Sequence, residues 1–267
     1  MKLNQIDLLW LNISELPYFR GFLRAIEGRF LREFELNTPI LDLGCGDGHF
    51  GMRTFPEIPK VGVDPSFSAL LEARAFDSYQ FLINCDGNKL PFKNNSVKTV
   101  VSISVLEHIK SVDFVIKETN RVLDFEGCIL VTMPNQNFAK NLQIAISLEK
   151  FRLNIFANAY RKFFNRISRH YHTDSKEGWQ QRFLKSNFEI SASFNYFPQR
   201  SLRILEFGHY FCLPSWINKK VFGKWVLFPK KKNPLLGRLF EFLGKEFTRE
   251  QKSENGAYTL IYAIKKS

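Results

Sequence analysis

Residues 41–50 read LDLGCGDGHF, and an apolar run, PILDLG, leads into them. Three glycines, Gly44, Gly46 and Gly48, alternate with Cys45 and Asp47, and an acid, Asp42, stands two residues before the first. Glycines at alternate positions let the chain take dihedrals closed to other residues and let a ligand lie against bare backbone. A dinucleotide loop would read G-x-G-x-x-G, its third glycine letting helix and strand pack closely. Here that third place is His49, so no pyrophosphate fingerprint is complete. Cys45 lacks an activating base beside it and reads as a small loop filler.

The acid that follows is spaced to reach a ligand at this loop. Asp64 ends VGVD, about 20 residues after the loop, the distance that one βαβ step requires to offer a carboxylate to two ribose hydroxyls. Next come CDGNKLPFKNNSVKTVVS, VSISVLEHI and RVLDFEGCILVTMPN. Taken together, residues 39–135 resemble the class I S-adenosylmethionine-dependent methyltransferases, within the ubiquinone/menaquinone-type group, through a D-x-G-x-G-x-G first motif. The resemblance implies a cofactor site built from Asp42, Gly44, Gly46, Gly48, Asp64, Asp86 and Ser104. Asp86 of the D-x-x-x-LPF segment would meet the adenine amino group, and Ser104 the methionine part. One departure is Cys128, which stands where the family's R-x-L-x-x-G-G segment has its second glycine.

The implied chemistry is displacement at a sulfonium methyl by a nucleophile held in line, a task of positioning and desolvation. An oxygen or carbon acceptor also needs a base. Candidates are His108, His49 and the His170-Tyr171-His172 cluster, with His108, His170 and His172 taken as the catalytic set. The plain alternatives are a helix start for Glu107-His108, where the dipole favours Glu, and a polar helix end for the cluster. Tyr18, Phe19 and Arg20 are expected over the cofactor.

These residues need a scaffold. Residues 5–34 show helical periodicity through Leu8, Leu9, Tyr18, Phe22, Leu23, Ile26, Phe30 and Leu31. Strands are predicted at 39–43, 60–63, 80–84, 97–104, 128–133, 188–197 and 258–264, with helices between the earlier ones. A single long helix is expected from Asn141 to about Arg169, with Leu142, Ala145, Ile146, Phe156, Phe163, Phe164 and Ile167 partly on one face. Strands alternating with helices give βαβ units and a parallel sheet. The expected fold is α/β, a Rossmann-like seven-stranded sheet with an antiparallel last strand and helices on both faces. Residues 1–38 would form an N-terminal helical lid, 39–197 and 257–267 the core, and 198–256 a basic aromatic insertion between the last two strands.

Composition narrows the partners. The net charge of +12 is uneven: residues 1–138 carry 14 Lys+Arg against 17 Asp+Glu, and residues 139–267 carry 24 against 9. A basic second half suits an anionic partner, although a basic surface also serves solubility alone. Four scattered cysteines form no CxxC pair, so neither a metal site nor a disulfide framework is expected. The N-terminus lacks a secretory pattern, and the chain reads as cytoplasmic. In LPSWINKKVFGKWVLFPKKKNP, Trp216, Ile217, Val221, Phe222, Trp225 and Val226 recur at helical spacing with lysines between. That is the pattern of an interfacial membrane helix, and of a pocket lid, and peripheral membrane contact through 214–232 is expected. The acceptor would be small or lipid-like, a lipid-linked glycan or isoprenoid intermediate. The rivals are a soluble sugar or secondary-metabolite O- or N-methyltransferase, and a catalytically silent membrane-binding module. Nucleic acid is not expected, since the Lys and Arg are dispersed among Phe.

Overall fold

The computed structural model describes residues 5–55, 58, 60–76, 78–211, 213–223, 225–226 and 234–266. Helices α1 (Gln5–Glu15) and α2 (Tyr18–Leu31) precede the sheet and are separated at Pro17. Then follow β1 (Ile40–Leu43), α3 (His49–Thr54), β2 (Lys60–Asp64), α4 (Phe67–Ala73), β3 (Tyr79–Asn84) and β4 (Val97–Ile103). After these come α5 (Val112–Val122), β5 (Leu123–Pro134), α6 (Asn137–Lys140), α7 (Gln143–Lys150), α8 (Asn154–Ile167), α9 (Lys176–Lys185) and β6 (Phe188–Tyr196). Helices α10 (Gln199–Tyr210), α11 (Leu213–Phe222) and α12 (Pro234–Thr248) lead to β7 (Tyr258–Lys265).

The seven strands lie in the order β3-β2-β1-β4-β5-β7-β6. Strands β1 to β5 pair in parallel, and β7 runs antiparallel between β5 and β6. This is the doubly wound sheet that the alternation of strands and helices predicts. Neighbouring strand residues point to opposite faces. Ile40 and Val101 pack with Phe22, Ile26 and Phe30 of α2 on one side. Leu41 and Val100 pack with Val112, Val115 and Ile116 of α5 and with Trp179 and Phe183 of α9 on the other. A parallel sheet needs both faces covered, hence the nearly unbroken apolar runs in β1, β4 and β5.

Two predictions need correcting. The single helix over 141–169 is two helices, α7 and α8: Arg152 adopts φ 61, and Leu153 donates its N–H back to Leu148 O, which ends α7. A left-handed residue without glycine leaves no mark in the sequence. The shared buried face is also narrower than the periodicity implies. Phe164 is fully buried, but Phe156, Phe163 and Ile167 are 63%, 50% and 42% exposed. Within the predicted interfacial segment, Lys224, the Lys230-Lys231-Lys232 run and the side chain of Trp216 lie outside the described residues. No helix among the described residues is long and apolar enough to cross a membrane.

Candidate active site

The sheet order reverses direction between β1 and β4, where ligands of open α/β sheets collect beyond the carboxyl ends of the strands. The glycine loop leaves β1 at this point. Gly44, Gly46 and Gly48 all have positive φ, at 76°, 54° and 74°. Their surroundings differ. A Cβ on Gly44 would lie 2.5 Å from Val105, and one on Gly48 2.9 Å from Ala73, whereas one on Gly46 would meet nothing within 4 Å. Gly44 and Gly48 are therefore fixed by packing, and Gly46 presents open backbone.

That opening belongs to a cavity of about 310 Å³. Asp42, Gly44, Gly46 and Asp47 line it from the loop, Ser104 and Val105 from the end of β4, and Arg20 and Arg24 from α2. Lys219 of α11 and Trp225 line it as well. The Trp225 ring is flanked by two cations, Arg20 at 5.7 Å and Lys219 at 5.8 Å from its centroid. Lys219 also pairs with Glu72 of α4, which fastens α11 beside the loop. Of the aromatic-basic stretch Tyr18-Phe19-Arg20, only Arg20 lines the cavity; Phe19 stacks on His209 of α10 at 4.6 Å.

The predicted acids play different parts. Asp42 is buried and accepts from the Tyr79 hydroxyl at 2.6 Å; burial pushes its carboxyl up to about 6 against the hydrogen bond and the pull of Lys60. Asp64 accepts from Gly46 N at 2.9 Å and from Ser66 N at 2.8 Å, so it ties the loop to β2 and the start of α4. Asp86 accepts from the backbone and side-chain nitrogens of Asn88, each at 2.8 Å. Asp64 and Asp86 stand outside the walls of the cavity. Cys45 is buried, and burial with neighbouring acids raises its thiol far above the ordinary range, which keeps it protonated and inert.

Behind Ser104 lies a buried carboxylate that the sequence alone does not reveal. Glu27 of α2 is fully buried. It accepts from Arg24 at 2.8 Å, Ser104 Oγ at 2.8 Å, Thr132 Oγ1 at 2.9 Å and the Tyr196 hydroxyl at 3.1 Å. The only local signal is the Arg24–Glu27 spacing of three residues, which puts both on one helix face. A second buried acid, Glu107, reads from the sequence only as a helix start. It is 1% exposed, and its Oε2 has no hydrogen-bond partner. Burial, reinforced by Glu27, pushes its carboxyl up to about 8.

The three predicted histidines sit beside this acid layer, outside the cavity wall. His108 and His170 stack at 5.6 Å, and His170 packs against Phe138 at 4.8 Å. His108 Nδ1 lies 3.0 Å from Arg169 O. His170 Nδ1 is buried without a partner, and burial pushes its ring down to about 3. His172 has both nitrogens engaged, Nε2 at 3.1 Å from Lys110 O and Nδ1 at 3.5 Å from Arg182. The other candidate, His49, lines the cavity, with Nε2 3.0 Å from Glu15.

Comparison with known proteins agrees with this geometry. Residues 41–131 match the family model described as a methyltransferase domain. Malonyl-[acyl-carrier protein] O-methyltransferase from Legionella pneumophila is 34% identical over 114 residues, 40% of this chain and 40% of that protein. A tRNA (carboxymethyluridine(34)-5-O)-methyltransferase from Saccharomyces cerevisiae is 31% identical over 80 residues, 30% of this chain and 28% of that one. The matches thus span well under half of these relatives. A solved methyltransferase from Thermotoga maritima, described as a possible histamine N-methyltransferase, superposes with a TM-score of 0.54 over 92% of this chain and 90% of its own, at 16% identity. That likeness extends the shared fold across nearly the whole chain. Residues 41–131 thus match a methyltransferase domain, and the fold around them is shared with solved S-adenosylmethionine-dependent methyltransferases. This chain's residues fit that cofactor: the bare backbone of Gly46 opens on the cavity.

Proposed function

We propose that the chain is an S-adenosylmethionine-dependent methyltransferase acting on a small or lipid-like acceptor. The observation that carries this reading is Gly46, the one loop glycine whose missing side chain opens space in the cavity rather than relieving a contact. When bound, the cofactor supplies an electrophilic methyl on a sulfonium. Asp64 and Asp86 would hold the ribose and adenine, and Asp42, Gly44, Gly46, Gly48 and Ser104 the remainder. Arg20 and Arg24 offer cations to the carboxylate of its methionine end. Trp225 and Lys219 cover the cavity and exclude water, which favours transfer to the acceptor over side reactions.

On the acceptor side, His108 would remove the proton, with Glu107 beside it: His108 Nε2 lies 3.7 Å from Glu107 Oε1. His170 stays neutral and positions the His108 ring, and His172, held by Lys110 O and Arg182, fixes the 170–172 turn. An oxygen acceptor suits this arrangement, as it does the O-methylating Legionella relative. A lipid-linked glycan or isoprenoid intermediate is the class we favour. Contact with a membrane through 214–232 belongs to the same reading, since Ile217, Val221 and Phe222 of α11 are exposed.

Calorimetric titration with S-adenosylmethionine and with S-adenosylhomocysteine tests the cofactor site. Micromolar binding of both is expected, and labelled methyl transfer to lipid and glycan acceptors then tests the substrate class. A folded protein that binds neither compound refutes the reading.

A further inference from the structure

We propose that the exposed face of α8, with the end of α10 beside it, docks on an anionic lipid bilayer. This goes beyond the reaction and concerns residues outside 214–232. Ile155, Phe156, Phe163 and Ile167 of α8 are 83%, 63%, 50% and 42% exposed, although the same helix buries Ala157 and Phe164 completely. Phe156, Phe163 and Ile167 stand at i, i+7 and i+11, one stripe along the helix. Single exposed apolar residues are ordinary, but a contiguous row marks a contact surface. The row continues onto α10, because the Tyr210 hydroxyl donates to the Tyr160 hydroxyl at 2.8 Å and Phe211 next to it is 70% exposed.

Charge selects the occupant. Residues 139–172 hold seven Lys or Arg and one acid, Glu149. Glu149 is already paired with Arg161 at 2.7 Å. The other six basic residues have no acid of the segment to face, and Lys162 and Arg166 are exposed next to the apolar stripe. Aromatic and aliphatic side chains flanked by Lys and Arg suit the headgroup boundary of an anionic leaflet, where rings enter the acyl region and cations stay with phosphates. A protein partner would be expected to meet acids as well as bases across such a face. The position serves the proposed reaction, because α8 reaches the site: Phe164 packs on His209, whose ring stacks on Phe19 just before Arg20 of the cavity wall.

Sedimentation of the full chain with phosphatidylcholine–phosphatidylglycerol vesicles, and with phosphatidylcholine alone, tests the proposal. Binding to the anionic vesicles is expected, at least about tenfold tighter than to neutral ones. Phe156→Ser with Phe163→Ser should weaken it about tenfold, and Arg166→Gln about fivefold, the worth of one basic residue at such a surface. Cofactor titration and thermal melting of each variant verify the fold, so this proposal and the methyltransferase reading fail separately. No binding overturns it, as does equal binding to neutral vesicles. It is also overturned if α8 variants bind normally while Lys219→Gln with Val221→Ser does not. A dimer in sedimentation velocity that Phe163→Ser dissociates would assign the face to a second copy, and RNA binding lost with Arg166→Gln would assign it to nucleic acid.

Discussion

Gly44 and Gly46 are two residues apart and should fail in opposite ways. Gly44→Ala drives a Cβ to 2.5 Å from Val105 at a φ of 76°, so the fold must shift. The expected result is a loss of about 2–3 kcal/mol in denaturant unfolding, from overpacking and left-handed strain together. The Cβ of Gly46→Val meets no atom within 4 Å, so stability should fall chiefly by the strain of a left-handed β-branched residue, about 1–2 kcal/mol. Its side chain occupies the cavity, and cofactor affinity should drop by at least about a hundredfold. A Gly46→Val protein that binds like the parent would displace the cofactor from this loop. Glu107 gives a pH signature. Its carboxyl is raised from the ordinary 4.5 to about 8 in the fold, chiefly by burial, so the folded state holds a proton that the unfolded chain has lost. Stability should therefore fall as pH rises from about 4.5 through about 8, with no contribution below the lower value. Glu107→Gln removes the penalty, so unfolding at pH 9 should favour the variant by about 1–3 kcal/mol, with little difference near pH 4.5. A constant difference across that range would contradict the assignment.

At the scale of elements, Glu27 is the tie between the N-terminal helices and the sheet. One buried carboxylate gathers Arg24 of its own helix, Ser104 after β4, Thr132 of β5 and Tyr196 of β6. Glu27→Ala leaves largely buried Arg24 without its carboxylate and takes an acceptor from three hydroxyls, and should cost about 3–5 kcal/mol in unfolding. Glu27→Gln keeps one acceptor oxygen and should cost less. The network explains why the sequence reveals the strands and not this joint. Strands β1, β2, β4 and β5 are local apolar runs, and the glycine loop lies within ten residues, so pattern alone reaches both. Glu27 is separated from Ser104, Thr132 and Tyr196 by 77, 105 and 169 residues, and one sequence carries no signal at that range. The same limit hid the orphaned Glu107 oxygen. The break in the long predicted helix was hidden for another reason: Arg152 takes a left-handed conformation at the end of α7 with no glycine there to mark it. Periodicity also found the stripe of α8 but could not say that it faces outward, because an amphipathic pattern is identical whether the apolar side meets a core or a membrane.

For the whole molecule, the reversal of strand order gathers distant pieces of chain around one space. The cavity is walled by Leu16 between the N-terminal helices, by Arg24 of α2, by the loop after β1, by Ser104 and Val105 after β4, and by Trp225 beyond α11. The unfolded chain brings none of these together, so a cofactor bound among them stabilises the native state by mass action. At a hundred times its dissociation constant the gain is about 2.7 kcal/mol. For a chain of this size that raises the melting temperature by about 5–10 °C. Trp225→Ala removes the ring held between Arg20 and Lys219 and opens that part of the cavity wall. Its affinity should fall, and at the same cofactor concentration the shift should shrink by several degrees, while the melting temperature without cofactor changes little, since Trp225 is only partly buried. Equal shifts for parent and variant would mean that α11 and the residues after it cover the site without contributing to binding. A variant that melts lower without cofactor but shifts as far would make Trp225 a packing residue of the insertion. The experiment thus separates a lid that holds the ligand from one that only lies over it.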